Sequence, residues 1–259
     1  MKTYPALVLG GYSPDKPDPL ALAVGAERKS LIDVAGKPMI YWIVRALAEN
    51  ERVDSITIVG LNPEDNIDFG VDVTYVPNQT THIDNIMAGV KALKEKDATT
   101  TYAVVASADI PLLHTHTVDW LVDACEKMGG DFFYAIVEQQ VMESQYPGSA
   151  RSFVPVQDKR YCGGDLFYVD VNTAVGNEEL IRDLLDSRKN VLQQVRIAGF
   201  GTLLKFLFRR LSLEDAEAVV SRLVNCDARV ISSPYADLAM DVDKPHQLEM
   251  VRQLLGENA

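Results

Sequence analysis

The chain has 259 residues, 47% of them hydrophobic, and a formal net charge of −12. That length fits one large domain or a domain with a lobe, and the acidic balance argues against a nucleic-acid polymer as partner. No apolar run approaches the ~20 residues needed to span a bilayer, and the first residues read as a strand rather than a signal peptide.

The three cysteines, Cys125, Cys162 and Cys226, are odd in number, far apart and free of any C-x-x-C spacing. This suggests neither a disulfide framework nor a zinc site, and leads us to expect reduced thiols in a cytoplasmic protein. The charge is uneven. Residues 151–229 hold 12 Lys and Arg against 11 Asp and Glu, while the remainder holds 13 against 26. The middle stretch therefore tolerates an anionic partner best, or it is a helix-rich segment that simply carries arginine.

Taken in order, Ala6 to Leu9 reads as a short strand, apolar on both faces and so central and parallel. Gly10-Gly11 follows, where backbone N–H groups can approach a phosphate. The stretch Tyr12 to Val24 carries Pro14, Pro17 and Pro19 with Asp15 and Asp18, and the prolines rule out a continuous helix. The basic pair Arg28-Lys29 precedes an apolar step, Leu31, Ile32 and Val34. Gly36-Lys37-Pro38 then turns into a helix with Ile40, Ile43, Val44 and Leu47 at helical spacing. A lysine beside a glycine turn and a helix start is placed to meet an anion; a solvated basic pair is the other reading.

Strands are predicted at Ser55 to Val59 and Val71 to Val76, and a helix at His82 to Lys96, where Thr81 or His82 can act as cap. Tyr102 to Ala106 reads as a buried strand with Asp109 just past its C-terminal end, the edge where open α/β sheets bind ligands. A helix is predicted from Thr117 to Lys127 and a strand from Asp131 to Val137. Glu138 to Pro155 is polar, contains Pro147-Gly148 and reads as an excursion toward a ligand. The glycines Gly163-Gly164 and Asp165 lead into a strand at Leu166 to Val171, and allow either a ligand's close approach or a bulge.

An amphipathic helix is predicted over Asn177 to Arg188. Gly201 to Leu211 reads as a core or dimer helix, and a capping box at Ser212-x-x-Asp215 opens a helix to Leu223. After a strand at Arg229 to Ser232, Leu238 to Val242 leads to Asp243. Lys244-Pro245 opens the last helix, for which Asp243 is a candidate cap. This alternation predicts an α/β fold.

Four motifs stand in order: the strand into Gly10-Gly11, K-x-L-x-x-V-x-G-K-P from Lys29 to Pro38, D-x-P-L-L from Asp109 to Leu113, and D-x-D-x-P-x-x-L from Asp241 to Leu248. Together they resemble the nucleotidyltransferases of the molybdenum-cofactor guanylyltransferase-like family, itself similar to the sugar-phosphate and methylerythritol-phosphate nucleotidyltransferases. The resemblance covers nearly the whole chain. It implies a three-layer α/β/α fold of the GT-A-like kind, with a mostly parallel sheet, a short antiparallel edge and a helical insert at about 176–225. It also implies one domain, with a nucleotide-binding half at 1–138 and an acceptor-binding half at 139–259.

The implied activity is Mg²⁺-dependent transfer of a nucleoside monophosphate from a nucleoside triphosphate, GTP or CTP, to a small-molecule acceptor bearing a phosphate or hydroxyl. Pyrophosphate is released, and neither nucleic acid nor membrane takes part; the protein would be a monomer or homodimer. Lys29, Asp109 and Asp243 are then the catalytic residues, with Asp109 and Asp243 holding the metal. Leu9, Gly10, Gly11, Arg28 and Lys29 meet the nucleotide, with Lys37 in support of the basic pair. Asn78, Thr80 and Asn85, with Gly89, read its base, and Ala108 lies alongside. Gly163, Gly164 and Asp165 face the acceptor. The chain departs from the family pattern at Tyr12 to Val24, longer and more acidic than usual, with Lys16 its only cation and no arginine. A non-catalytic nucleotide-binding module on the same fold is the alternative reading.

Overall fold

In the computed structural model, residues 1–187 and 212–256 are described. The central sheet runs β10-β7-β9-β6-β1-β4-β5, with β8 paired to β9. Its strands are β1 (Tyr4–Leu9), β4 (Val53–Val59), β5 (Thr74–Val76), β6 (Tyr102–Ser107), β7 (Phe132–Glu138), β8 (Val154–Val156), β9 (Lys159–Asp170) and β10 (Ala228–Ser233). Two further short strands, β2 (Asp33–Val34) and β3 (Lys37–Pro38), form a separate hairpin.

Strand β1 pairs in parallel with β4 and β6. It is buried along its length because both faces are covered. Ala6 and Val8 join the larger core, while Leu7 joins a second core on the opposite face. Strand β6 alternates likewise, with Val104 and Ala106 on one side and Ala103 and Val105 on the other. Helix α3 (His82–Lys96) covers the smaller core with Val90 and Leu93. Helices α2 (Met39–Ala48), α4 (Thr115–Met128) and α9 (Pro245–Gly256) cover the larger one. The α2 residues at helical spacing, Ile40, Ile43, Val44 and Leu47, are all fully buried. Each contributes about 1.5–3 kcal/mol in transfer free energy.

The three layers and the mostly parallel order agree with the sequence reading. One feature does not. The antiparallel strand lies inside the sheet, where β9 pairs antiparallel with β6 and with β7, and only β8 is a short addition. At twelve residues β9 also starts well before Leu166 and absorbs Gly163 and Gly164.

Helix α1 (Pro19–Val24) occupies the end of the stretch whose prolines argued against helix. Pro19 sits in its first turn, where a missing N–H costs nothing, and the Asp18 side chain caps Leu20 and Ala21. Helix α5 (Gln139–Gln145) lies in the supposed polar excursion, folded back on the core through buried Met142. Helices α6 (Val171–Gly176), α7 (Glu178–Ser187) and α8 (Leu213–Val224) follow, the last opened by the capping box of Ser212 and Asp215. The helix expected at Gly201 to Leu211, the end of the one expected to Arg188 and the centre of the proposed insert lie outside the described residues. Among the described residues no helix is long and apolar enough to cross a membrane.

A local switch sits where α4 begins. The Asp237 carboxylate is almost fully buried and accepts from the His114 backbone N–H, the Thr117 hydroxyl and the His114 ring. The Asp237 contact raises the His114 pKa above its ordinary value. The charged pair therefore stabilises the fold fully below about pH 6.5 and fades as pH rises through the raised folded value. His114 is more than half exposed, so water screens the effect. We expect His114→Gln to flatten a small alkaline decline in the melting temperature; an unchanged pH profile would exclude the pair as its cause.

Candidate active site

The C-terminal ends of β1 and β6 lie side by side, since Leu9 pairs with Ser107. That register sets Gly10-Gly11 beside Ala108 and Asp109. The Ala108 N–H donates to the Leu9 carbonyl and fixes the turn that leads out of β6. The β6–β9 register pairs Ala106 with Leu166, so Asp165 stands one step further toward the same edge. Asp243 arrives from the other end of the chain because the Val242 N–H bonds the Asp109 carbonyl.

Lys29 joins these carboxylates. Its Nζ lies 2.6 Å from Asp109 Oδ2 and 2.5 Å from Asp243 Oδ1. Burial by itself would lower the lysine pKa, but contact with Asp109 and then Asp243 outweighs it and holds the ammonium firmly charged. Asp165 stands in the same field. Burial, and then the negative charge of Asp109, push its carboxyl up to about 7. Arg151 opposes that shift. It is ion-paired with Asp241, and both side chains are largely buried.

Asp243 does not cap α9. The Gln247 side chain does that work, accepting from the Asp243 and Lys244 N–H groups. The Asp243 carboxylate is thereby left to Lys29. Asp109 is not a cap either, for α4 begins after His114.

A cleft of about 440 Å³ opens at this edge. Leu9, Gly10, Gly11, Arg28, Lys29, Asn85, Ala108 and Asp109 line it. So do several residues for which the sequence suggested no part: Glu27, Ser30, His82, Ser107 and the face of the loop from Tyr12 to Pro19 other than Asp15. Asn78 and Thr80 are not on its wall. Asn78 works from behind, where its side chain pairs with both the N–H and the carbonyl of Tyr12 and so ties down the glycine loop. Thr80 is exposed. Asn85 is buried and fixed by the Gln79 N–H, and a Cβ on Gly11 would strike its amide.

Three further expectations meet groups already engaged within the fold. Arg28 lines the cleft but is not a free cation: it is ion-paired with Asp65, donates to the Gly60 carbonyl and lies over the Tyr12 ring. Burial would raise the Asp65 carboxyl, but the Arg28 and Asn62 hydrogen bonds more than offset this and hold it below the usual range. Lys37 lies on the β2–β3 hairpin with its ammonium over the Tyr41 ring, away from the cleft wall. Gly163 and Gly164 serve packing, since a Cβ on the first would strike the Tyr134 hydroxyl and one on the second the Leu238 side chain. The Asn62-x-x-Asp65 spacing forms a capping box and was the one local signal that could have exposed Asp65.

The donor set suits a hard cation. Asp109 Oδ1 is buried without a hydrogen-bond partner, an arrangement costly for a carboxylate oxygen. Among the described residues no three His, Cys, Asp or Glu side chains form a closed metal cage. An open pair of carboxylates is what Mg²⁺ uses when phosphates and waters complete its shell.

The fold is that of the α/β nucleotidyltransferases. Residues 24–150 match the model of the MobA-like NTP transferase domain. A hypothetical transferase from Thermus thermophilus shares 27% identity at a TM-score of 0.82, covering 96% of this chain and all of its own. A CMP:2-keto-3-deoxy-manno-octonic acid synthetase complexed with CTP has 12% identity and a TM-score of 0.62, with both chains fully covered. The 4-diphosphocytidyl-2C-methyl-D-erythritol synthase of Anaerococcus prevotii has 14% and 0.59, covering 98% of this chain and 96% of its own. No curated protein sequence matches.

Proposed function

We propose that this nucleotidyltransferase moves a nucleoside monophosphate from CTP or GTP to a small-molecule acceptor carrying a phosphate or hydroxyl. One observation carries the reading: Lys29 bridges Asp109 and Asp243 at the sheet edge beside Gly10-Gly11. An acceptor oxygen attacks the α-phosphorus, the bond to the bridging oxygen breaks, and pyrophosphate leaves. Such transfer asks mainly for alignment and charge neutralisation. Lys29 supplies a positive charge, and Gly11 brings its backbone N–H to the cleft wall, while that of Gly10 is held by the Val59 carbonyl. Lys16 adds a cation from the loop on the cleft wall. Asp109 and Asp243 would hold Mg²⁺, which when bound neutralises phosphate charge. Asn85 reads the base and Asp165 faces the acceptor. We take the chain as one domain, 1–138 for nucleotide and 139–259 for acceptor, acting in the cytoplasm as a monomer or homodimer.

Calorimetric titration with CTP, GTP, ATP and UTP, with and without Mg²⁺, tests this. One nucleotide is expected to bind well, and only with metal. Failure of all four to bind a folded protein would end the proposal. Binding without pyrophosphate release across a panel of acceptors would instead identify a module that holds nucleotide without turnover. The engagement of Arg28 by Asp65 is the observation in favour of that second reading.

A further inference from the structure

We infer that Lys29 and a divalent cation compete for the same two carboxylates, so that metal binds well only when a triphosphate takes Lys29 in exchange. The inference rests on the nucleotide reading of this cleft and adds a coupling to it.

The geometry sets the terms. One ammonium contacts Asp109 and Asp243 together, and its side chain is only 18% exposed. A dication that binds both carboxylates brings its charge within a few ångströms of that ammonium. Two such charges at that separation repel, most strongly on the Asp109 side, since the Asp243 side chain is 55% exposed. Lys29 must therefore swing away, and a buried ammonium left without an anion is costly. The described cleft offers it only single carboxylates in place of the two it leaves, Glu27 on the wall and Asp165, in whose field it already stands. Asp18 caps α1, and Asp65 is paired with Arg28. A polyanion entering the cleft supplies the missing partner. The three-way exchange conserves good pairing: metal to Asp109 and Asp243, Lys29 to phosphate. Either ligand alone leaves one buried charge poorly matched. Sites coupled in this way usually change each other's affinity by about 5–150-fold, and the effect is reciprocal.

The test uses Mn²⁺ as probe, its free concentration read by electron paramagnetic resonance, with no turnover involved. Lys29→Met removes the competitor and keeps an unbranched apolar stem. It is expected to bind Mn²⁺ alone at least about fivefold more tightly than the wild type. In the wild type, saturating CTP or GTP, whichever nucleotide the calorimetric titration selects, should tighten protein-bound Mn²⁺ beyond what chelation by free nucleotide accounts for. In Lys29→Met that extra tightening should disappear. Lys29→Gln serves if the methionine variant fails to fold, and Asp109→Asn should abolish Mn²⁺ binding in either background.

Equal or weaker Mn²⁺ affinity in the folded lysine variants would overturn the exchange while leaving a nucleotide site in place. Nucleotide binding by the wild type with no Mn²⁺ binding by either protein would overturn it as well, by removing the metal from the carboxylates. No nucleotide binding at all would overturn the nucleotide reading itself, and the exchange with it.

Discussion

Asp109→Asn is expected to slow pyrophosphate release by about 10³–10⁴-fold, roughly 4–5.5 kcal/mol in barrier at ~1.4 kcal/mol per tenfold. The substitution keeps the shape of the side chain and removes one negative charge. That charge is one of two touching Lys29, and its second oxygen, buried and unpartnered, is the atom best suited to a cation. The fold should survive. Lys29 retains Asp243, and loss of the Asp109 charge eases the crowding felt by Asp165. We therefore expect a melting temperature within ~4 °C of the wild type, the shift that goes with about 1 kcal/mol in a chain of this size. A large loss of activity without loss of stability separates a functional carboxylate from a structural one. Normal turnover by Asp109→Asn would remove Asp109 from the reaction, and unfolding would show that the Lys29 cluster holds the molecule together.

Local signals located most of this site. The bounds of α3, His82 to Lys96, follow from a threonine cap and apolar residues at helical spacing, both of which act within a few residues. Asp109 and Asp243 stood out because each falls just past an apolar run and two residues before a proline. What the sequence concealed depends on partners far along the chain. Arg28 looks like a free cation until Asp65, 37 residues on, is seen to hold it. Gly163-Gly164 looks like a ligand-facing pair until Tyr134 and Leu238 are found against it. Strand β9 is antiparallel inside the sheet, and its order among the strands has no signature in its own alternation. Helix α1 was missed for a different reason. Proline was read as a breaker where, at the first turn, it is a starter.

Gly60→Ala is expected to destabilise the protein by about 2–5 kcal/mol, the sum of backbone strain and overpacking. It should also weaken nucleotide binding, although Gly60 does not line the cleft. Gly60 follows β4 at a φ of +98°, a conformation that side chains rarely adopt. A Cβ there would lie 2.6 Å from the Gly10 carbonyl carbon and oxygen and from the Gly11 nitrogen. These are backbone atoms, so no rotamer change relieves the clash. The loop under the proposed phosphate site must move instead. The Gly60 carbonyl also accepts from Arg28, so the strain reaches the basic pair. Gly25→Ala is the matched control. It too has positive φ, +73°, but nothing lies within 4 Å of its Cβ position. It should therefore lose only the left-handed strain of about 1–2 kcal/mol and leave nucleotide affinity unchanged. If the two variants melt together and bind nucleotide alike, the contact between Gly60 and the glycine loop does not shape the site. If Gly60→Ala alone loses affinity, the end of β4 is part of the phosphate-binding loop's support.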